Sequence, residues 1–296
     1  MDDERPALAE PLAVWAMLGL VALAVCITYA RIPPADLWNV SVGGLRGGLG
    51  RALVVANFPA GLAAIPVAAL AAERLRARWA DAVAVVAVVL CLVMAWPGVV
   101  DQDDLDAKAV NLVPALGVAL ALGLTIAAWV ARGRGRRPRR IRFDRVRIIL
   151  AIVLVVTATP WIAADLGFYG TLGGLFEAGE IIPEAGHPTL RAVHLGHHHG
   201  LDGVVLALTA ILLTRELGRV SRLRGVLTGY LSLLLVYGLA NALNDFWGEQ
   251  LVKRDVLSTG LPSFLRPSLS PAWLALLAAA ALVYALLRRT TASPAQ

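Results

Sequence analysis

The sequence is short of charge. Asp, Glu, Lys and Arg make up 16% of its 296 residues, where a soluble domain carries about a quarter. So few polar groups cannot cover the outside of a soluble globule of this size. Two cysteines in the whole chain exclude a disulfide-stapled scaffold. A hydrophobic share of 58% with a mean hydropathy of +0.70 excludes disorder. No polar stretch is long enough to form a separate soluble domain. What the chain has in quantity is Ala, Leu and Val in long runs. They imply an all-α integral membrane protein, a polytopic bundle in which residues 1–296 form one transmembrane domain.

Eight stretches reach or approach the roughly 20 apolar residues that a crossing requires: 12–30, 51–72, 80–99, 109–131, 147–166, 201–216, 225–244 and 271–287. With eight spans both termini lie on one side. The segments on that side hold 19 of the 27 basic and 8 of the 21 acidic residues, a charge of +11, against −5 for the opposite side. The positive-inside bias therefore sets both termini and the arginine-rich loop 132–147 in the cytoplasm, and the chain in the plasma membrane. The net charge of +6 is thus topological, and no nucleic-acid partner is implied. All eight tryptophans (Trp15, Trp38, Trp79, Trp96, Trp129, Trp161, Trp247 and Trp273) fall near span ends, as expected of interfacial indoles. The acidic N-terminus lacks the basic region of a cleaved signal, so residues 12–30 read as a retained first span. Cys26 and Cys91 lie inside spans. Ala35-Asp36-Leu37 with Gly43-Gly44-Leu45, set against Ala164-Asp165-Leu166 with Gly173-Gly174-Leu175, suggests a four-plus-four duplication, 1–140 and 141–296.

All five histidines (His187, His194, His197, His198 and His199) sit within thirteen residues of one outer loop. Pro188 suits a first helical position, so the sixth helix is expected to start near 188. His194, His198 and Asp202 then share one helix face, with His197 on its flank. Two imidazoles one turn apart can hold a divalent ion, zinc or iron, and a carboxylate one turn further can be its third ligand. On the seventh span Tyr237, Asn241, Asp245 and Glu249 form a polar face with Asn244 beside it, ending on the same side as the histidines. Asp165 and the acidic run Asp101–Asp106 end there as well.

His194-Leu-Gly-His197-His198 resembles the H-x-x-H-H box of membrane fatty-acid desaturases and hydroxylases. That family uses three such boxes on the cytoplasmic side. One box, on the outer side, does not imply its di-iron centre, and none of its residues is carried over.

The expected site is therefore a divalent-metal centre at the extracytoplasmic face, with His194, His197, His198 and Asp202 as ligands and Asp245 and Glu249 as catalytic groups. A bound ion lowers the pKa of its water, which fits hydrolysis or group transfer on an outer-leaflet lipid or an extracytoplasmic substrate. Arg46 and Arg51, in the glycine-rich stretch 41–51, are candidate substrate-binding residues, with backbone N–H groups that can form an anion nest. Two other classes fit the same residues: a transporter or metal-handling permease, and a noncatalytic membrane subunit with a histidine-rich loop.

Overall fold

The computed structural model describes residues 6–37, 40–96, 99, 105–133, 135, 141, 143–165 and 199–291. Among them all regular structure is helical. The helices are α1 (Ala9–Arg31), α2 (Gly44–Asn57), α3 (Pro59–Leu75), α4 (Arg78–Leu92), α5 (Leu112–Arg132), α6 (Asp144–Asp165), α7 (His199–Leu213), α8 (Arg224–Trp247) and α9 (Pro271–Thr291). Five helical segments are long and apolar enough to cross a membrane, and six when α2 and α3 are taken as one bent span.

Local chemistry explains the helix ends. Pro33 and Pro34 follow α1 and force Ile32 into an extended conformation. Gly133 closes α5 in the left-handed region at φ 61°. The expected span 51–72 falls on two helices, α2 and α3, and the apolar stretch is not straight. It begins at Gly44 and bends by 48° at Phe58. Pro59 has no N–H to continue the ladder, and the Asn57 side chain turns back to donate to the Leu53 carbonyl at 2.7 Å. α7 has 15 described residues. At 1.5 Å per residue that is roughly 22 Å, short of the ~30 Å hydrocarbon core. The expected start of this helix near 188 lies outside the described residues, as do Leu166 and Gly173–Leu175 of the suspected repeat.

At one end of the bundle, the starts of α1, α4, α6 and α8 meet the finishes of α3, α5, α7 and α9. Charged groups tie them, two of them buried. Arg74 is 1% exposed and donates to the carbonyls of Pro6 (2.9 Å), Arg132 (2.7 Å) and Gly133 (3.0 Å). Glu73, fully buried, accepts from the Ser221 backbone at 3.1 Å and from its hydroxyl at 2.5 Å. Arg222 spans Glu73 (3.4 Å) and both oxygens of Asp81 (2.8 and 2.9 Å). Arg74, Arg132, Arg147, Arg215 and Arg222 therefore lie at one end of the bundle.

The core is built around α7 and α8, which pack along their length, with α1 and α3 against them. α3, α4 and α5 meet through alanines, among them Ala64, Ala68, Ala84, Ala87, Ala121 and Ala128. Lipid is as apolar as leucine, so such contacts gain from close packing of small residues, not from escape from water. α6 leans on α7 and leaves Ile148, Ile149, Ile152 and Val156 exposed, as a lipid-facing helix would. The tryptophans divide. Trp79, Trp96 and Trp129 are exposed, but Trp161 is 1% exposed against Phe246, Trp273 is buried beside Tyr237, and Trp15 donates to Thr125 at 3.0 Å. The rings of Trp161 and Trp273 and the indole N–H of Trp15 thus serve helix packing, not a membrane interface.

Candidate functional site where α7 begins and α8 ends

α7 and α8 cross with their backbones nearly touching. A Cβ on Gly203 would stand 2.6 Å from the Ala242 nitrogen and the Gly238 carbonyl, and a Cβ on Gly238 2.6 Å from the Gly203 carbonyl. Only glycine fits at either position. This closeness brings the first turn of α7 against the last turns of α8, where the polar residues lie. Gly200 sits against Asp245: a Cβ there would meet Asp245 Oδ2 and the Trp161 ring, each at 2.6 Å. Asp202 is 4% exposed and lies toward Tyr237.

The expected polar face of α8 is present, but its members face different partners. Tyr237 donates its hydroxyl to the Leu265 carbonyl at 3.0 Å. Asn241 is buried and donates to its own helix at the Tyr237 carbonyl, 2.9 Å away. Asn244 reaches the carbonyls of Leu261 (3.2 Å) and Pro262 (3.0 Å), and Trp247 reaches that of Thr259 (2.9 Å). These residues pin the loop between α8 and α9 over the bundle end. Glu249, in the π-helical turn Gly248–Val252, is 7% exposed and forms an ion pair with Lys253 at 2.8 Å. Asp245 is thus the carboxylate turned toward α7, while Glu249 is turned toward Lys253.

Of the expected metal ligands, only Asp202 is described. His187, His194, His197 and His198 lie outside the described residues, as do Asp101, Asp103 and Asp104. His199 is the first residue of α7. Among the described residues, no three His, Cys, Asp or Glu side chains are grouped closely enough to hold a metal ion.

Arg46 and Arg51 do not form a shared site. Arg46 is exposed, whereas Arg51 is 5% exposed and lies over the Tyr29 ring, 5.5 Å from its centre. Five residues apart on α2, they point to different sides. The expected anion nest exists just before α2, and the chain fills it. The Asp106 carboxylate accepts from the backbone N–H of Ser41 (3.0 Å) and Val42 (3.4 Å) and from the Ser41 hydroxyl. Spacing along the chain cannot reveal this, because the donor and acceptor are 65 residues apart.

Sequence reading also missed a buried amide pair. Asn57, 1% exposed, donates to the Asn111 carbonyl and accepts from the Asn111 side chain, both at 3.1 Å. Asn111 in turn accepts from the Lys108 backbone at 2.6 Å. Asn57 and Asn111 each stand alone among apolar neighbours in the sequence, and nothing there pairs them. The pair holds the bent span to the start of α5. No family model matches the chain, and neither a curated protein nor a solved structure resembles it.

Proposed function

We propose that this chain is a membrane-embedded, metal-dependent hydrolase or transferase of the plasma membrane, working at the bundle end where α7 begins. The basic end faces the cytoplasm, and the histidine and carboxylate end faces outward. The single observation behind this reading is the burial of Asp202 and the turning of Asp245 onto Gly200 in the turn that follows the histidine run. A carboxylate is rarely buried near a membrane helix without a functional partner. His194, His197, His198 and Asp202 supply ligands to zinc or iron. The ion's contribution is to acidify a water near neutral pH. Asp245 is the general base, as the carboxylate turned onto the first turn of α7. The substrate is an outer-leaflet lipid or a small extracytoplasmic molecule.

Metal analysis of the purified protein tests this. Wild type should carry about one equivalent of zinc or iron, and His194→Ala with His198→Ala should carry none. Equal metal in both would refute the site. A second reading, a permease, draws on the bend at Phe58, because broken helices beside proline accompany transport sites. Metal uptake into vesicles reconstituted with the protein separates the two.

A further inference from the structure

The opposite end of the bundle holds two buried carboxyl groups that the reading above does not use. Glu10, in the first turn of α1, is 3% exposed, and Glu216, in the 3-10 turn Thr214–Arg219 beyond α7, is fully buried. Each has one oxygen in a conventional contact. Glu10 Oε1 accepts from Arg215 at 3.2 Å, and Glu216 Oε2 accepts from the Ala7 backbone N–H at 2.7 Å. The remaining oxygens, Glu10 Oε2 and Glu216 Oε1, are buried and receive no N–H or O–H among the described residues. The Ala7 and Arg215 contacts draw the carboxyl groups to one place, since Ala7 lies three residues before Glu10 and Arg215 is next to Glu216.

Two buried carboxylates side by side repel unless one of them holds a proton. We infer that Glu10 and Glu216 form a proton-binding site that holds one shared proton and latches the N-terminal end of α1 to the connection between α7 and α8.

The surrounding charges are arranged around the pair without entering it. Arg215 contacts Glu10 and, at 3.5 Å, Asp144 of α6. Arg219 lies 3.8 Å from the Glu216 oxygen that already accepts from Ala7. Arg147 of α6 is engaged with Thr214 and Asp144. Arg74 of α3 binds the carbonyl of Pro6, next to Ala7. None of these cations donates to Glu10 Oε2 or Glu216 Oε1. Burial above all, with the nearby Glu10 carboxylate, pushes the Glu216 carboxyl from 4.5 up to about 7, against the opposing pull of the Ala7 N–H and Arg219. A folded value raised this way means that the folded protein keeps a proton the unfolded chain releases. The latch is complete below the ordinary glutamate value and weakens as pH rises toward 7.

Glu216→Gln tests the inference in the intact protein in detergent. Glutamine can accept from Ala7 and donate to Glu10, so it imitates the protonated pair permanently. Infrared difference spectra at about pH 6 should show a protonated-carboxyl stretch in wild type that disappears in E216Q. The melting temperature of wild type should also fall relative to E216Q as pH rises between 4.5 and about 7. Glu10→Gln substitutes at the other half of the pair and supplies the same two readouts if E216Q does not fold. An unchanged carboxyl band, or a melting difference independent of pH, would overturn the shared proton.

Discussion

Replacing Gly238 by alanine should cost stability out of proportion to the one methyl group added. In an exposed helix interior the exchange favours alanine by about 1 kcal/mol through helix propensity alone. At Gly238 the new Cβ would stand 2.6 Å from the Gly203 carbonyl oxygen, 2.7 Å from the Ala207 nitrogen and 3.2 Å from the Ala207 Cα, all backbone atoms. None can rotate away, so α7 and α8 must separate by roughly 0.5–1 Å. A gap of that size forfeits about a quarter to a half of the dispersion energy at each contact it opens. The crossing includes Val204, Ala207 and Ala242, so the expected net loss is about 3 kcal/mol, near the upper range of ordinary overpacking. In thermal melts of the detergent-solubilised protein that corresponds to a drop of roughly 5–10 °C. Gly203→Ala should behave alike, since its Cβ meets the same backbone from the other side. Gly229→Ala is the control. It lies on the same helix, and its Cβ would approach nothing closer than the Tyr284 ring at 4.0 Å, so it should melt at or above wild type. If Gly238→Ala and Gly229→Ala melted together, the reasoning about the crossing would be wrong.

Asn57→Ala removes one side of the amide pair and leaves Asn111 Nδ2 buried without its acceptor, which should cost about 1–3 kcal/mol in the same melts. Asn57→Asp keeps the acceptor for Asn111 but loses the bonds to Leu53 and the Asn111 carbonyl, and should not rescue the loss. Asp106→Ala empties the nest before α2 and frees the N–H groups of Ser41 and Val42. Because these contacts are largely exposed, the effect on melting should be under about 1 kcal/mol. Limited proteolysis between α1 and α2 should nonetheless quicken several-fold, and unchanged cleavage there would show that Asp106 does not hold the segment.

Much of the membrane architecture is legible in the residues themselves. A run such as 12–30 declares a helix for lipid because hydropathy adds up along one segment, without reference to any other. The gathering of Arg74, Arg132, Arg215 and Arg288 at one end is likewise implied by alternation, since each crossing reverses the chain. Pro59 signals a break in its helix because proline acts on its own backbone. The function of individual polar residues is less legible. Glycine-rich residues 41–51 announce an anion nest, yet Asp106 fills it; Tyr237, Asn241, Asp245 and Glu249 share a spacing of four, yet serve separate partners.

The shortage of charge thus determined, without help from tertiary structure, that the chain is helical and apolar enough to cross a membrane repeatedly, and that its basic segments lie together. Only the tertiary structure decided which of its few charges are buried and what they meet. Glu10 and Glu216 are 206 residues apart, and both count in the sequence as ordinary acids near span ends. They become a pair because α1 and α7 pack side by side at a particular rotation and depth. Hydropathy averages over a helix and is blind to that rotation, whereas a hydrogen bond is made or lost within an ångström of it.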